Sequence, residues 1–113
     1  MPTPESIIED YAAKLASKNG FLFYKFMSGE TGVPDRILVG HGKIVFMELK
    51  AKNGKLSERQ KFVSKQIYRK GGIVMVPYSK SDVEQCYADL MTLTYSEIYK
   101  KHKNQFLSSN TKS

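Results

Sequence analysis

Gly32-Val33-Pro34-Asp35-Arg36-Ile37-Leu38-Val39-Gly40-His41-Gly42-Lys43-Ile44-Val45-Phe46-Met47-Glu48-Leu49-Lys50 is the stretch on which the fold turns. Two apolar, β-branched runs, Arg36 to Val39 and Lys43 to Ala51, are joined through Gly40-His41-Gly42, which reads as a hairpin. Alternation along the second run sets Phe46, Glu48 and Lys50 on one face and Val45, Met47 and Leu49 on the other. Asp35 stands just before the partner strand, so pairing brings it toward the sheet end that holds Glu48 and Lys50. Both faces are otherwise fairly apolar, which makes this strand central. A glutamate and a lysine near a buried strand are costly unless paired or bound to a metal.

Upstream, Thr3 as N-cap and Pro4 at the first helical position open a helix. Ile7, Ile8, Tyr11, Ala12 and Leu15 recur along it at helical spacing, and Asn19-Gly20 stops it. Phe21 to Met27 is a short aromatic-rich strand, and Ser28 to Val33 is a loop. Downstream, Ser57 opens a second helix to about Lys70, Gly71-Gly72 ends it, and Ile73 to Pro77 is a further strand. Ser81-Asp82-Val83-Glu84 has the capping-box form and predicts the start of a third helix, with Val83, Cys86, Tyr87 and Leu90 on one face. Tyr95 to Phe106 is a weaker last helix, and Ser108 to Ser113 a polar tail expected to be disordered. The order α-β-β-β-α-β-α predicts an α/β domain over residues 1–107, a mixed central sheet flanked by helices.

With 113 residues the chain builds one core without disulfide or metal staples. Its net charge of +7 favours polyanionic partners, although many small basic proteins bind no nucleic acid. The lone cysteine, Cys86, reads as a small buried hydrophobe. No apolar run reaches the ~18 residues of a membrane span, and Met1-Pro2-Thr3-Pro4-Glu5 lacks a signal-peptide pattern, so a cytoplasmic location is expected. His41 in the hairpin turn and His102 in a lysine-rich segment lack zinc-type spacing, and no phosphate-binding glycine loop is present.

Asp35, Glu48 and Lys50 at one point supply what metal-assisted phosphodiester hydrolysis needs: hard oxygen ligands for Mg²⁺ or Mn²⁺ and a positive charge beside the phosphate. A Glu-x-Lys alone is more often an ordinary salt bridge, and Pro-Asp is a frequent turn dipeptide, so the weight rests on the whole ordered string.

That string resembles the virus-type replication-repair nuclease (VRR-NUC) domain, a branch of the PD-(D/E)xK nuclease superfamily. The matching features are Gly32-Val33-Pro34-Asp35-Arg36 and Phe46-Met47-Glu48-Leu49-Lys50-Ala51. Gly54-Lys55-Leu56-Ser57, Gln60 and Gly71 follow at the family's spacing, behind an acidic first helix. The resemblance spans roughly residues 4 to 78; Met47 stands where valine is more usual, and Asn19-Gly20 replaces a double glycine.

The resemblance implies an αβββαβ core, restriction-endonuclease-like and Holliday-junction-resolvase-like, with a C-terminal helix. It implies a Mg²⁺- or Mn²⁺-dependent DNA endonuclease in which Asp35, Glu48 and the Leu49 backbone carbonyl bind metal and Lys50 activates water or stabilises charge on the phosphate. Glu5 matches the family's first-helix acid, serving a second metal or a bound water; Glu9, one turn on, is the competitor. Gln60 is either the capping-box partner of Ser57 or an active-site amide. Lys25, Arg36, Lys52, Lys61, Lys65 and Arg69 are the expected DNA contacts, the last three forming one stripe of the second helix that is otherwise a solvated face. Branched DNA, four-way junctions above all, is the implied substrate. Two symmetric cuts call for a homodimer, for which the first helix and the C-terminal segment are the available surfaces, the latter offering an apolar patch of Tyr95, Ile98, Tyr99, Phe106 and Leu107 if they do not pack on their own core. A stand-alone domain of this kind looks like phage cargo. Flap- or end-directed cleavage, sequence-specific cleavage and a non-cleaving nucleic-acid-binding module are the competing readings.

Overall fold

The computed structural model describes residues 2–107, so the Ser108 to Ser113 tail lies outside them. In chain order the elements are α1 (Pro4–Lys18), β1 (Leu22–Lys25), β2 (Arg36–Gly40), β3 (Lys43–Met47), α2 (Glu58–Arg69), β4 (Val74–Met75), α3 (Lys80–Thr92) and α4 (Tyr95–Lys103). The sheet runs β1-β2-β3-β4, antiparallel except for the β3–β4 pair, which α2 connects as a parallel crossover. This is the mixed α/β sheet expected from the sequence.

The hairpin closes through a two-residue turn in which His41 (φ 52°) and Gly42 (φ 76°) are both left-handed, the backbone a tight antiparallel connection favours. His41 tolerates this because its ring nitrogen bonds the Asn19 carbonyl at 2.7 Å and its ring packs on Phe21 at 4.8 Å. Register sets Leu38 opposite Val45 and Arg36 opposite Met47. Leu38, Val45 and Met47 are almost wholly buried, so these alternate positions define the core-facing side.

Helix starts follow their caps. Thr3 and Ser6 form a reciprocal box on α1, as do Ser57 and Gln60 on α2 and Thr94 and Glu97 on α4. The predicted start of α3 needs correction: Ser79, not Ser81, is the cap, accepting the Asp82 N–H at 3.0 Å while Asp82 accepts the Tyr78 N–H at 2.9 Å. Cys86 is buried on the α3 face beside Val83, Tyr87 and Leu90. Among the described residues no helix is long and apolar enough to cross a membrane.

The C-terminal aromatic patch packs inward rather than offering an interface. Ile98 is fully buried, Tyr99 donates to the Tyr68 carbonyl, Phe106 stacks on Tyr68 at 5.4 Å, and Leu107 packs against the core. Three of the exposed apolar side chains gather instead on the other side of the sheet. Leu22, Val39 and Ile44 align across three strands, as do Tyr24, Ile37 and Phe46, and Leu22, Tyr24 and Ile44 are each half or more exposed.

Asp89, 3% exposed, clamps α4 to α3. It accepts hydrogen bonds from Gln85, Lys101 and His102, each at 2.9 Å, so His102 is a structural partner rather than part of a loose lysine-rich segment. Burial opposes its charge, but these hydrogen bonds outweigh that and hold the carboxyl below its ordinary value of 3.8. The stabilisation it brings is therefore present above that value and lost as pH falls through the folded one. We predict that Asp89→Ala lowers unfolding free energy by about 2 kcal/mol in a urea titration at pH 7, and by much less at pH 3. Equal losses at both pH values would show that the charge is not what holds the helix.

Candidate active site

The parallel ladder continues past the ends of its strands. Phe46, Glu48 and Lys50 donate their N–H groups to the carbonyls of Ile73, Met75 and Pro77 at 2.9, 2.9 and 3.1 Å. Met47 and Leu49 are buried on the core-facing side, which commits Glu48 and Lys50 to the opposite one. There the Lys50 Nζ sits 3.6 Å from the Glu48 Oε2. Gln60 donates its side-chain N–H to the same oxygen at 3.3 Å while its Oε1 accepts the Ser57 N–H at 2.8 Å. The helix cap and an active-site role, which the sequence left as alternatives, are served at once by the two ends of one amide, and the active-site contact is with Glu48.

Asp35 reaches the same place from the neighbouring strand. Its carbonyl accepts the Phe26 N–H at 2.7 Å, and since Arg36 faces Met47, Asp35 occupies the position opposite Glu48. Leu49, one position on, falls opposite Pro34, whose nitrogen has no proton to donate; the strand end is thus left with a backbone carbonyl that this pairing cannot satisfy. The approach to Asp35 is held against α2. Gly32 (φ +92°) lies so close to Arg59 that a Cβ would come within 2.8 Å of the Arg59 carbonyl, and Arg59 Nε donates to the Thr31 carbonyl at 3.2 Å.

The two acids of α1 part company. Glu9 accepts from the Arg36 guanidinium, with Nε at 2.7 Å, and Arg36 also lies over the Phe23 ring at 5.4 Å. Arg36 is thereby an internal ion-pair partner. Glu5 stays exposed at the rim of a depression it shares with Thr3, Glu9 and Ala51, and its charge acts on Glu48. Lys25, Lys52 and Arg69 are exposed, whereas Lys61 pairs with Glu58 at 3.3 Å and Lys65 is half-buried. Only Lys61 and Lys65 of the α2 stripe share a basin, together with Lys55. The Glu9–Arg36 pair was not legible from spacing, because its residues are far apart in sequence and meet only when α1 docks on the sheet.

Burial, then repulsion from Asp35, pushes the Glu48 carboxyl up to about 7; Lys50 opposes the shift and Glu5 adds to it. Hard oxygen donors crowded into negative potential that Lys50 offsets only in part suit a divalent cation. Among the described residues no three His, Cys, Asp or Glu side chains converge as ligands; Asp35 and Glu48 are the two carboxylates that the strand register sets opposite one another, next to the Leu49 carbonyl that Pro34 cannot meet.

No protein-family model and no curated protein matches the chain. A solved structure described as a VRR_NUC domain is similar to 76% of this chain and 96% of that one, with 27% identity and a TM-score of 0.70. That likeness, over a mixed four-stranded sheet with flanking helices, supports a nuclease-family domain of this type.

A carboxyl raised in the folded state takes its proton at higher pH than in the unfolded chain. Its contribution to stability is full below the ordinary value of 4.5 and is lost as pH rises through about 7. In EDTA, the unfolding free energy should fall between pH 5 and pH 8 by on the order of 3 kcal/mol from this group, and Glu48→Gln should flatten that dependence. A wild-type profile that rises over this interval would refute the account of Glu48.

Proposed function

We propose, from the premise of a VRR-NUC domain, that this chain is a Mg²⁺- or Mn²⁺-dependent DNA endonuclease acting at branched DNA, four-way junctions foremost. The observation that carries the reading is the convergence of Asp35, Glu48, Lys50 and Gln60 at one end of the central strands, with Glu48 buried and contacted by Lys50 and Gln60. Asp35, Glu48 and the Leu49 carbonyl would hold the ion, which when bound polarises the scissile phosphate and acidifies a water. Gln60 fixes one oxygen of Glu48, leaving the carboxylate a single orientation toward the site. Lys50 lies 3.6 Å from that carboxylate, placed to orient the attacking water or to meet negative charge growing on the phosphate. Glu5 completes the acidic rim, and Glu9 is excluded by its pairing with Arg36. Lys25, Lys52, Lys61, Lys65 and Arg69 supply sequence-independent backbone attraction, in keeping with the net charge of +7.

Resolving a symmetric junction takes two cuts, and the dimer this calls for is assigned to the open sheet face bearing Leu22, Tyr24 and Ile44, since the C-terminal patch is spent on the core. Sedimentation at micromolar concentration should show a dimer that Ile44→Glu converts to monomer; a monomeric wild type would remove the symmetric-cleavage argument.

Lys50→Ala should lower single-turnover cleavage by at least about a thousandfold while DNA affinity stays within twofold. Asp35→Ala should abolish the heat of Mn²⁺ binding in calorimetry. Cleavage by Lys50→Ala at the wild-type rate would overturn the assignment.

A further inference from the structure

Beside the acidic site lies a basin of about 580 Å³ whose lining includes Lys55, Leu56, Lys61, Lys65, Tyr78 and Gln105. We infer that this basin takes an unpaired nucleotide, one freed where base pairs open at the branch point of the substrate. The inference rests on the nuclease reading for the identity of its ligand, and binding is measured without cleavage.

Its charge is the first reason. Lys55 and Lys65 have no carboxylate partner among the described residues, and the Glu58 that meets Lys61 is itself 91% exposed at its side chain. Lys65, half-buried as a residue and with no carboxylate partner among the described residues, suits a phosphate. The second reason is an aromatic ring in the basin wall: Tyr78 is half-buried, packed in part against the core, and lines the basin. Phe106, the other ring of the basin, stacks on Tyr68, whereas Tyr78 has no ring or cation partner among the described residues. Lysines beside a partly exposed aromatic ring suit single strands, because an unpaired base can stack where a paired one stays enclosed in its duplex. The volume falls within the range of small-ligand pockets.

Position is the third reason. Tyr78 follows Pro77, whose carbonyl holds the Lys50 N–H at 3.1 Å, and Gly54, Lys55 and Leu56 belong to the segment that leaves Lys50. One ladder thus ties the basin to the strand end where the phosphodiester would be cut. A nucleotide seated on Tyr78 would thread its strand past Lys50.

The test is fluorescence anisotropy of the full chain in EDTA, with a labelled strand of about ten thymidines and a blunt duplex of equal length. Tyr78→Leu and Lys55→Gln should each weaken single-strand binding about five- to tenfold and duplex binding less than twofold, and Tyr78→Phe should bind like wild type. Equal losses on both DNAs would reduce the basin to general electrostatics and overturn the inference, as would unchanged single-strand binding. Far-UV circular dichroism checks folding; should Tyr78→Leu not fold, Lys55→Gln, on an exposed segment, decides alone. Strand-selective binding in a protein that cuts nothing with any metal would sink the nuclease reading and leave the basin. Cleavage with unselective variants would do the reverse.

Discussion

The rest of the structure depends on the parallel ladder in which residues 46, 48 and 50 donate to the carbonyls of residues 73, 75 and 77. Its alternation decides which side chains enter the core and which stand at the site. Met47 and Leu49 are spent on packing, and because a strand cannot rotate one residue without its neighbours, Glu48 and Lys50 are held on the other face with little freedom. The ladder also outruns the antiparallel pairing on its other side, so the strand end is supported from β4 while its β2 side meets Pro34 and Asp35.

This support is used to keep an unfavourable arrangement in place. A carboxylate as buried as Glu48, facing a second acid, works against folding when no cation is present; the single lysine beside it compensates only in part. The cost is borne by a core in which α1, α3, α2 and α4 are tied by Tyr87 to Ala12, Tyr68 to Val74 and Asp89 to His102. Preorganised negative potential of this kind is the form in which a metal site stores its affinity. Gln60 shows the same economy, since one amide both starts α2 and fixes Glu48.

The hairpin, the caps of α1 and α2, the centrality of β3 and the shared face of Glu48 and Lys50 were legible because each is written within a few residues. Gly40-His41-Gly42 names its own turn, and period-two alternation needs no knowledge of the rest of the chain. What the sequence left undetermined depends on how distant segments dock. Arg36 pairs with Glu9 instead of standing free, Lys61 and Lys65 join Lys55 in a basin instead of forming a rail with Arg69, and Phe106 turns onto Tyr68. Ser79 displaced Ser81 as the α3 cap because Asp82 closes back on the Tyr78 N–H, a turn that competes with the capping-box pattern two residues later.

The measurement that bears most directly on the central claim is cleavage of an end-labelled immobile four-way junction, set beside linear duplex and flap substrates, with Mg²⁺, Mn²⁺ or EDTA. The account predicts metal-dependent, paired symmetric nicks in the junction and an intact linear duplex. Tight junction binding with no cut under any metal would contradict it and leave a fold that has kept the acidic site without its chemistry.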